Sequence, residues 1–369
     1  MADVPRISVV MAVYNGERHL RETIESILGQ SFGDFEFVIV NDGSTDRTRE
    51  IVLSYADPRI QLVDNERNLG LAPSLNRGLR LARGEIIARQ DADDISEPGR
   101  LARQVEFLDA HPEVALVGSW YREIDSSGRL LREAELSCDH VALCWRLLFV
   151  CPFVHSAVAL RRSMLLGEVG LYDESLTYSM DYELWCRIAR RFRVANLDEY
   201  LIRYRVHPES MTSTYGERTL EHYRLAVATV ARLLGWSARQ AGEHEERFEA
   251  MTALVRGTGE AHSPESLLRA VEDLLLLQQA FGGEFDLSRA ERDSHRAELL
   301  RTIGWSLRTR AERCRDAGAV VGARRLLVRA CRLDRSLLRR RATLRLAAEI
   351  SLQPRLPGWS QRLFRRGPE

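Results

Sequence analysis

The chain has 369 residues, 45% of them apolar, and its 53 basic side chains balance 53 acidic ones. That length suits two domains with ordinary cores, and no uninterrupted apolar run reaches the roughly 18 residues of a membrane-spanning helix. Cys138, Cys144, Cys151, Cys186, Cys314 and Cys331 show no Cys-x-x-Cys spacing and read as reduced thiols, and the first residues carry no secretory signal, so a cytoplasmic location is expected.

Residues 7–13 form a continuous apolar run of strand length, and residues 17–30 repeat Leu20, Ile24, Ile27 and Leu28 at helical spacing. Strand signals follow at 35–40, 60–63 and 85–88, with helix signals after Thr45-Asp46 and over 74–82. Repeated β-α-β units predict an α/β fold with a mainly parallel sheet and right-handed crossovers. Ligands of such sheets bind beyond the carboxyl ends of the strands. Tyr14 and Asn15 follow the first strand, Asn41-Asp42-Gly43-Ser44 the second, and Asp91, Asp93 and Asp94 the last, so the polar clusters are expected on one edge.

From about Tyr215 the pattern is helical only, which predicts a sheet domain over 1–215 and an all-α region over 216–369. Ser263-Pro264 marks a helix start, and residues 316–319 interrupt two helical segments. Residues 323–334 look like the second helix of a tetratricopeptide-like hairpin, but one such unit is too few for a repeat array, and a bundle with a basic solvent face is the alternative. The balanced total charge hides an asymmetry: residues 301–369 carry 18 arginines against 5 acids, a net of +13, and residues 1–300 carry −13. An arginine-rich end of this kind, with Arg339-Arg340-Arg341 and then Trp359, Phe364, Arg365 and Arg366, predicts an anionic partner. No aromatic-interleaved nucleic-acid module accompanies it, so no nucleic acid is expected and a peripheral contact with the inner face of the plasma membrane is.

In extended backbone Asp91 and Asp93 point to the same side of the chain. Two carboxylates placed so can hold magnesium or manganese, the shell being completed by substrate phosphates. Taken alone, Asp91-Ala92-Asp93-Asp94 reads equally as a solvated turn ahead of Pro98.

The order and spacing of several segments over roughly residues 5–215 resemble the motifs of family-2 glycosyltransferases with the GT-A fold, above all bacterial enzymes that build lipopolysaccharide or capsule glycans. The resemblance implies metal-dependent inverting transfer from a UDP-sugar. It places Ala12, Tyr14 and Asn15 at the nucleoside, Asp42 on the uracil N–H, and Asn68 and Asn76 along the nucleotide pocket; by themselves Asp42 reads as an Asx turn and the two asparagines as caps. It makes Asp91, Ala92 and Asp93 the family's Asp-x-Asp, with Asp93 on the metal, Asp91 at the ribose or the metal's shell, and Arg89 holding carboxylates or phosphates; a simple ion pair explains Arg89 as well. His207 would complete the metal shell and Arg205 would contact the diphosphate, though a histidine before proline is also an ordinary loop residue.

Residues 178–188 resemble the family's Glu-Asp-x-x-Leu-Trp pattern, which makes Asp181 the catalytic base, working alone or assisted by Glu183. Here Met180 stands where the family has glutamate. Without the resemblance, Asp181 reads as an acid favouring a helix N-terminus. His155 and Trp185 are expected on the acceptor side, the acceptor being a glycan or lipid-linked glycan. A hexosyl- or N-acetylhexosaminyltransferase is the reading adopted; a sugar-phosphate nucleotidyltransferase and a non-catalytic sugar-binding scaffold are the alternatives.

Overall fold

The computed structural model describes residues 4–208, 210, 218–236, 241–257 and 262–352. The expected boundary at 215/216 and the tail residues Trp359, Phe364, Arg365 and Arg366 lie outside them. The chain divides into two compact units between Ala226 and Val227.

In the first unit β1 (Ile7–Val13), β2 (Phe35–Asn41), β3 (Ile60–Asp64) and β4 (Ile86–Arg89) lie parallel in the order β3-β2-β1-β4. The crossovers are α1 (Leu20–Leu28), α2 (Thr48–Leu53) and α3 (Leu71–Leu81). Every residue of β1 and β2 is buried, which is why these strands read as unbroken apolar runs rather than alternating ones. The apolar stripe of α1 buries Leu20, Ile24 and Ile27. Helix α3 starts a turn earlier than its periodicity predicts, because Pro73 is tolerated in a first helical turn and Ser74 is buried rather than capping. Gly78 lets α3 lie close on the sheet: a Cβ there would stand 2.8 Å from Val10 Cγ1.

The register aligns Val13 with Asn41 and Asn41 with Asp64, so the polar residues that follow all three strands share one edge. Beyond β4 come β5 (Ile95–Ser96), α4 (Arg100–Ala110), β6 (Val114–Ile124), β7 (Leu130–Ala134), α5 (His140–Leu147), β8 (Ala159–Arg161), α6 (Arg162–Met164), α7 (Met180–Ala189) and β9 (Arg193–Arg205). Here the sheet is mixed: β8 is antiparallel to β4 and β6, β9 runs parallel to β6, and β5 is antiparallel to β9. The full order is β3-β2-β1-β4-β8-β6-β9-β5, with β7 on β6.

Helix α8 (Arg218–Leu234) spans the division, and α9 (Ala241–Arg256), α10 (Pro264–Glu284), α11 (Arg289–Asp316), α12 (Val320–Leu333) and α13 (Arg341–Leu352) follow. Ser263 caps α10 by accepting from the Ser266 N–H at 3.0 Å, with Pro264 as first helical residue. Helices α11 and α12 form a hairpin whose turn places Gly318 at φ +77°. Leu274, Phe281, Ile303 and Leu307 are among the fully buried side chains of this unit. Among the described residues no helix is long and apolar enough to cross a membrane.

Candidate active site

The loops after β1 and β2 are joined by hydrogen bonds. The Asn15 N–H donates to Ser44 Oγ at 3.0 Å, the Thr45 N–H to Asn15 Oδ1 at 2.8 Å and the Gly16 N–H to Thr48 Oγ1 at 2.9 Å. Asn15 holds φ +50°, a left-handed conformation that asparagine tolerates. Ala12 is buried in β1 and the Tyr14 ring is 49% exposed. Asp42 is buried, and its carboxylate accepts from Asn65 Nδ2 at 2.7 Å, the Leu69 N–H at 2.9 Å and the Gly70 N–H at 3.0 Å. The Asx role falls instead to Asn41, whose Oδ1 accepts from the Ser44 N–H at 3.2 Å. Exposed Asn68 accepts from the Gly70 N–H at 3.0 Å.

Asn76 does not line this loop. It is 1% exposed, and its amide takes the Tyr172 N–H at 3.0 Å while giving to the Tyr172 carbonyl at 2.9 Å and Glu174 Oε1 at 2.8 Å. Its place on the inner face of α3 turns it toward the second half of the unit.

After β4 the three carboxylates separate into distinct environments. Asp93 is partly exposed, and its Oδ2 lies 3.0 Å from His207 Nε2, across 114 residues of sequence. His207 Nδ1 is buried with no hydrogen-bond partner among the described residues. Asp91 faces elsewhere: one oxygen pairs with Arg89 and the other accepts from Ser156 Oγ at 2.6 Å. Burial pulls the Asp91 carboxyl upward, but the Arg89 charge, His155 and the Ser156 hydroxyl outweigh it and hold it below the usual range. Asp94 is fully buried between Ser156 and the Arg205 N–H, 2.7 Å from the latter, and burial plus the charges of Asp93 and Asp91 push it well above the usual range. Ala92 and Asp94 offer their carbonyls to Thr23 Oγ1 at 3.0 and 2.9 Å, which fixes the turn.

Arg205 is 1% exposed. Its guanidinium donates to the Asp93 carbonyl at 2.8 Å, to the carbonyls of Asp125 and Ser126 at 3.3 Å, and to Glu22. With every nitrogen engaged by protein oxygen, it braces the Asp93 backbone. Buried Arg89 donates from Nε to His155 Nε2 at 3.2 Å, and the Tyr172 hydroxyl lies 2.9 Å from the same nitrogen. Arg89 Nη1 is buried without a partner. Burial, with Arg89 beside it, lowers His155 to about 3, so the ring is neutral and accepts at Nε2.

Helix α7 carries the Asp181 segment. Partly buried Asp181 accepts from the Tyr182 N–H at 2.7 Å, and burial, aided by the Asp91 charge, raises it to about 6. Met180 is buried. Glu221 on α8 supplies a carboxylate at the helix start, accepting from the N–H groups of Tyr178 at 2.9 Å and Ser179 at 2.7 Å. Glu183 pairs through both oxygens with Arg187 at 2.7 to 2.9 Å, and Arg187 in turn donates to the carbonyls of Val169 and Leu171 at 2.7 Å. The ion pair ties α7 to the 169–171 loop. Trp185 is 0% exposed and packs edge-on to Phe153, His155 and Tyr172. The helical spacing buries Leu184, Trp185 and Ile188 together.

Sequence reading gave no role to Arg100, Ser156 or Glu221. Arg100 is fully buried and donates to Gln90 Oε1 and Ser96 Oγ at 2.9 Å and to the Arg89 carbonyl at 2.7 Å; burial, with Arg89 near, lowers it to about 9. The signal was present as one arginine six residues after Asp94, with no periodicity to mark it.

A parallel half-sheet with polar loops on one edge, followed by an Asp-x-Asp turn and a mixed second half, defines a GT-A glycosyltransferase domain. Residues 8–169 match the model of Glycosyl transferase family 2. An uncharacterized glycosyltransferase of Methanocaldococcus jannaschii is 37% identical over 209 residues, 55% of this chain and 72% of that protein. The amylovoran biosynthesis glycosyltransferase AmsE of Erwinia amylovora is 32% identical over 231 residues, 60% of this chain and 85% of that protein. Among solved structures, S. aureus TarS 1-349 in complex with UDP-GlcNAc shares the fold with a TM-score of 0.53 and 19% identity, over 82% of this chain and 83% of that one. The chain belongs to glycosyltransferase family 2.

Proposed function

We propose that the protein transfers a sugar, with inversion, from a UDP-sugar to a hydroxyl of a growing glycan, using a divalent ion and Asp181 as general base. The observation that carries this reading is the convergence of Asp93 and His207 at 3.0 Å on the sheet edge, next to an Asp91 whose charge is felt by Asp181. TarS, solved with UDP-GlcNAc, and AmsE, named for amylovoran biosynthesis, support the donor and the biosynthetic setting.

Two protein donors, a carboxylate oxygen and an imidazole nitrogen whose other ring nitrogen is buried without a hydrogen-bond partner among the described residues, fit manganese or magnesium. Among the described residues no group of three or more such side chains forms a closed cage, which suits a shell completed by diphosphate oxygens. When bound there, the ion neutralises charge developing on the leaving diphosphate. Asp91, held by Arg89 and Ser156, keeps the turn in register. Asp181 takes the proton of the acceptor hydroxyl as the sugar carbon is attacked from the face opposite the departing diphosphate. A carboxyl raised to about 6 is ionised at neutral pH yet basic enough for that task. The tyrosine ring at Tyr14 offers a stacking surface for the base. The arginine-rich end is assigned to the anionic inner face of the membrane, where a lipid-linked acceptor would be presented.

The test is a panel of nucleotide sugars with and without manganese, following hydrolysis and transfer separately. UDP-sugar turnover that Asp93→Ala abolishes is the expected result. Metal-independent turnover that survives Asp93→Ala would sink the mechanism.

A further inference from the structure

The helical unit carries an open groove of about 620 Å³, large enough to seat part of a small molecule. It is lined from three directions: by Arg256 and Gly257 at the end of α9, by the α11 face that carries Arg301, Thr302, Trp305, Thr309, Arg310 and Arg313, and by Asp334, Ser336 and Arg340 after α12. Five guanidinium groups therefore meet one carboxylate, and that carboxylate is engaged, since Asp334 Oδ1 accepts from the Ser336 N–H at 2.9 Å.

The arginines of this unit commonly have acidic partners elsewhere: Arg232 pairs with Glu284, Arg247 with Asp273, Arg325 with Glu265 and Arg329 with Glu272. At the groove Arg256, Arg301, Arg313 and Arg340 make no side-chain ion pair with the described residues. Arg310 forms a buried wall, donating to Ser306 Oγ at 2.5 Å and to the Ala253 carbonyl at 2.9 Å. Arg340 lies 5.1 Å from the centre of the Trp305 ring, which is 47% exposed. Like charges gathered along one open groove repel one another, and an anion that bridges them relieves that repulsion.

We infer that this groove binds a small phosphate-bearing polyanion, at least a diphosphate. Planar guanidinium forks match phosphate oxygens in pairs, and the hydroxyls of Thr302, Thr309 and Ser336 add neutral donors. A single phosphate has oxygens for only one or two of these arginines, whereas two linked phosphates offer oxygens to guanidinium groups from more than one of the elements that line the groove. The exposed part of Trp305 gives a flat apolar neighbour for whatever carries the phosphates. Soluble nucleoside diphosphate and a lipid-linked diphosphate present the same chemistry, and they are separable by experiment.

The decisive measurement is calorimetric titration of the full chain with inorganic pyrophosphate and with UDP, both in chelator so that metal-dependent binding elsewhere is silent. Vesicles of neutral lipid, with and without a polyprenyl diphosphate, form the second arm. The expected result is one pyrophosphate site per chain, weakened at least about tenfold in Arg301→Gln/Arg313→Gln and unchanged in Asp93→Ala. UDP binding that follows the same pattern assigns a soluble ligand, and vesicle binding that needs the diphosphate lipid and these arginines assigns the lipid-linked one. Absence of pyrophosphate binding, or binding indifferent to the double substitution, overturns the inference. The exposed positions of Arg301 and Arg313 make loss of fold an unlikely confusion, and an unchanged melting temperature of the double variant without ligand verifies that.

Discussion

The backbone N–H of Arg205 donates to Asp94 Oδ1 at 2.7 Å, which ties the end of the last strand to the turn after the fourth. Asp94 also meets the Ser156 hydroxyl, and burial holds its proton more tightly in the folded chain than in the unfolded one. Stability is therefore full at low pH with respect to this group and falls as pH rises from the ordinary carboxylate range toward the raised value. Asp94→Asn imitates the protonated acid and is expected to melt within about 1 kcal/mol of the native protein. Asp94→Ala orphans the Arg205 N–H and costs about 1–3 kcal/mol. Denaturant melts of both variants across pH check the pair.

Asp181 should set the acidic limb of the rate profile. As a base it must be ionised, so kcat/KM falls as pH drops through about 6. Asp181→Asn should lose roughly 10²–10⁴ in rate with UDP affinity kept, and rate assays beside UDP titrations separate the two. An acid limb that persists in residual Asp181→Asn activity would assign it to another group.

Asp93→Ala and His207→Ala should each lower kcat/KM by about 100-fold or more and abolish its manganese dependence. Trp185→Ala gives a different signature. A fully buried ring packed on Phe153, His155 and Tyr172 costs about 3–5 kcal/mol on truncation, while Trp185→Phe should recover most activity. Melts and acceptor KM distinguish packing from contact.

Glu221→Ala removes the acceptor for two N–H groups at the start of the Asp181 helix. A loss of about 1 kcal/mol, as for other helix caps, is expected, together with a fall in kcat larger than any rise in KM. Glu221→Gln, which keeps an acceptor oxygen, should restore most of it.

The parallel half of the sheet was legible because strands buried on both faces leave long apolar runs, and helices between them leave a 3.6-residue stripe. β6 to β9 pair in mixed senses over long sequence separations, and nothing local in residues 114–205 encodes which strand lies beside which. At the site, the placement of Asp93 was readable from its strand-end position. The burial of Asn76, Arg205 and Trp185 was not readable, because burial depends on what packs against a residue rather than on the motif that contains it. Met180 looked like a lost carboxylate; Glu221 brings one to the same helix start from a distant stretch of chain.

Asp42 already serves three donors from the 65–70 loop. A carboxylate accommodates about four, and at 3% exposure the remaining position is out of a base's reach while that loop stays in place. Loop and nucleobase are thus rivals for one side chain. If uridine is read by Asp42, its arrival should release the Leu69 and Gly70 amides, so these two would exchange with solvent deuterium faster in the UDP complex than in the free protein, where a rigid pocket would slow them.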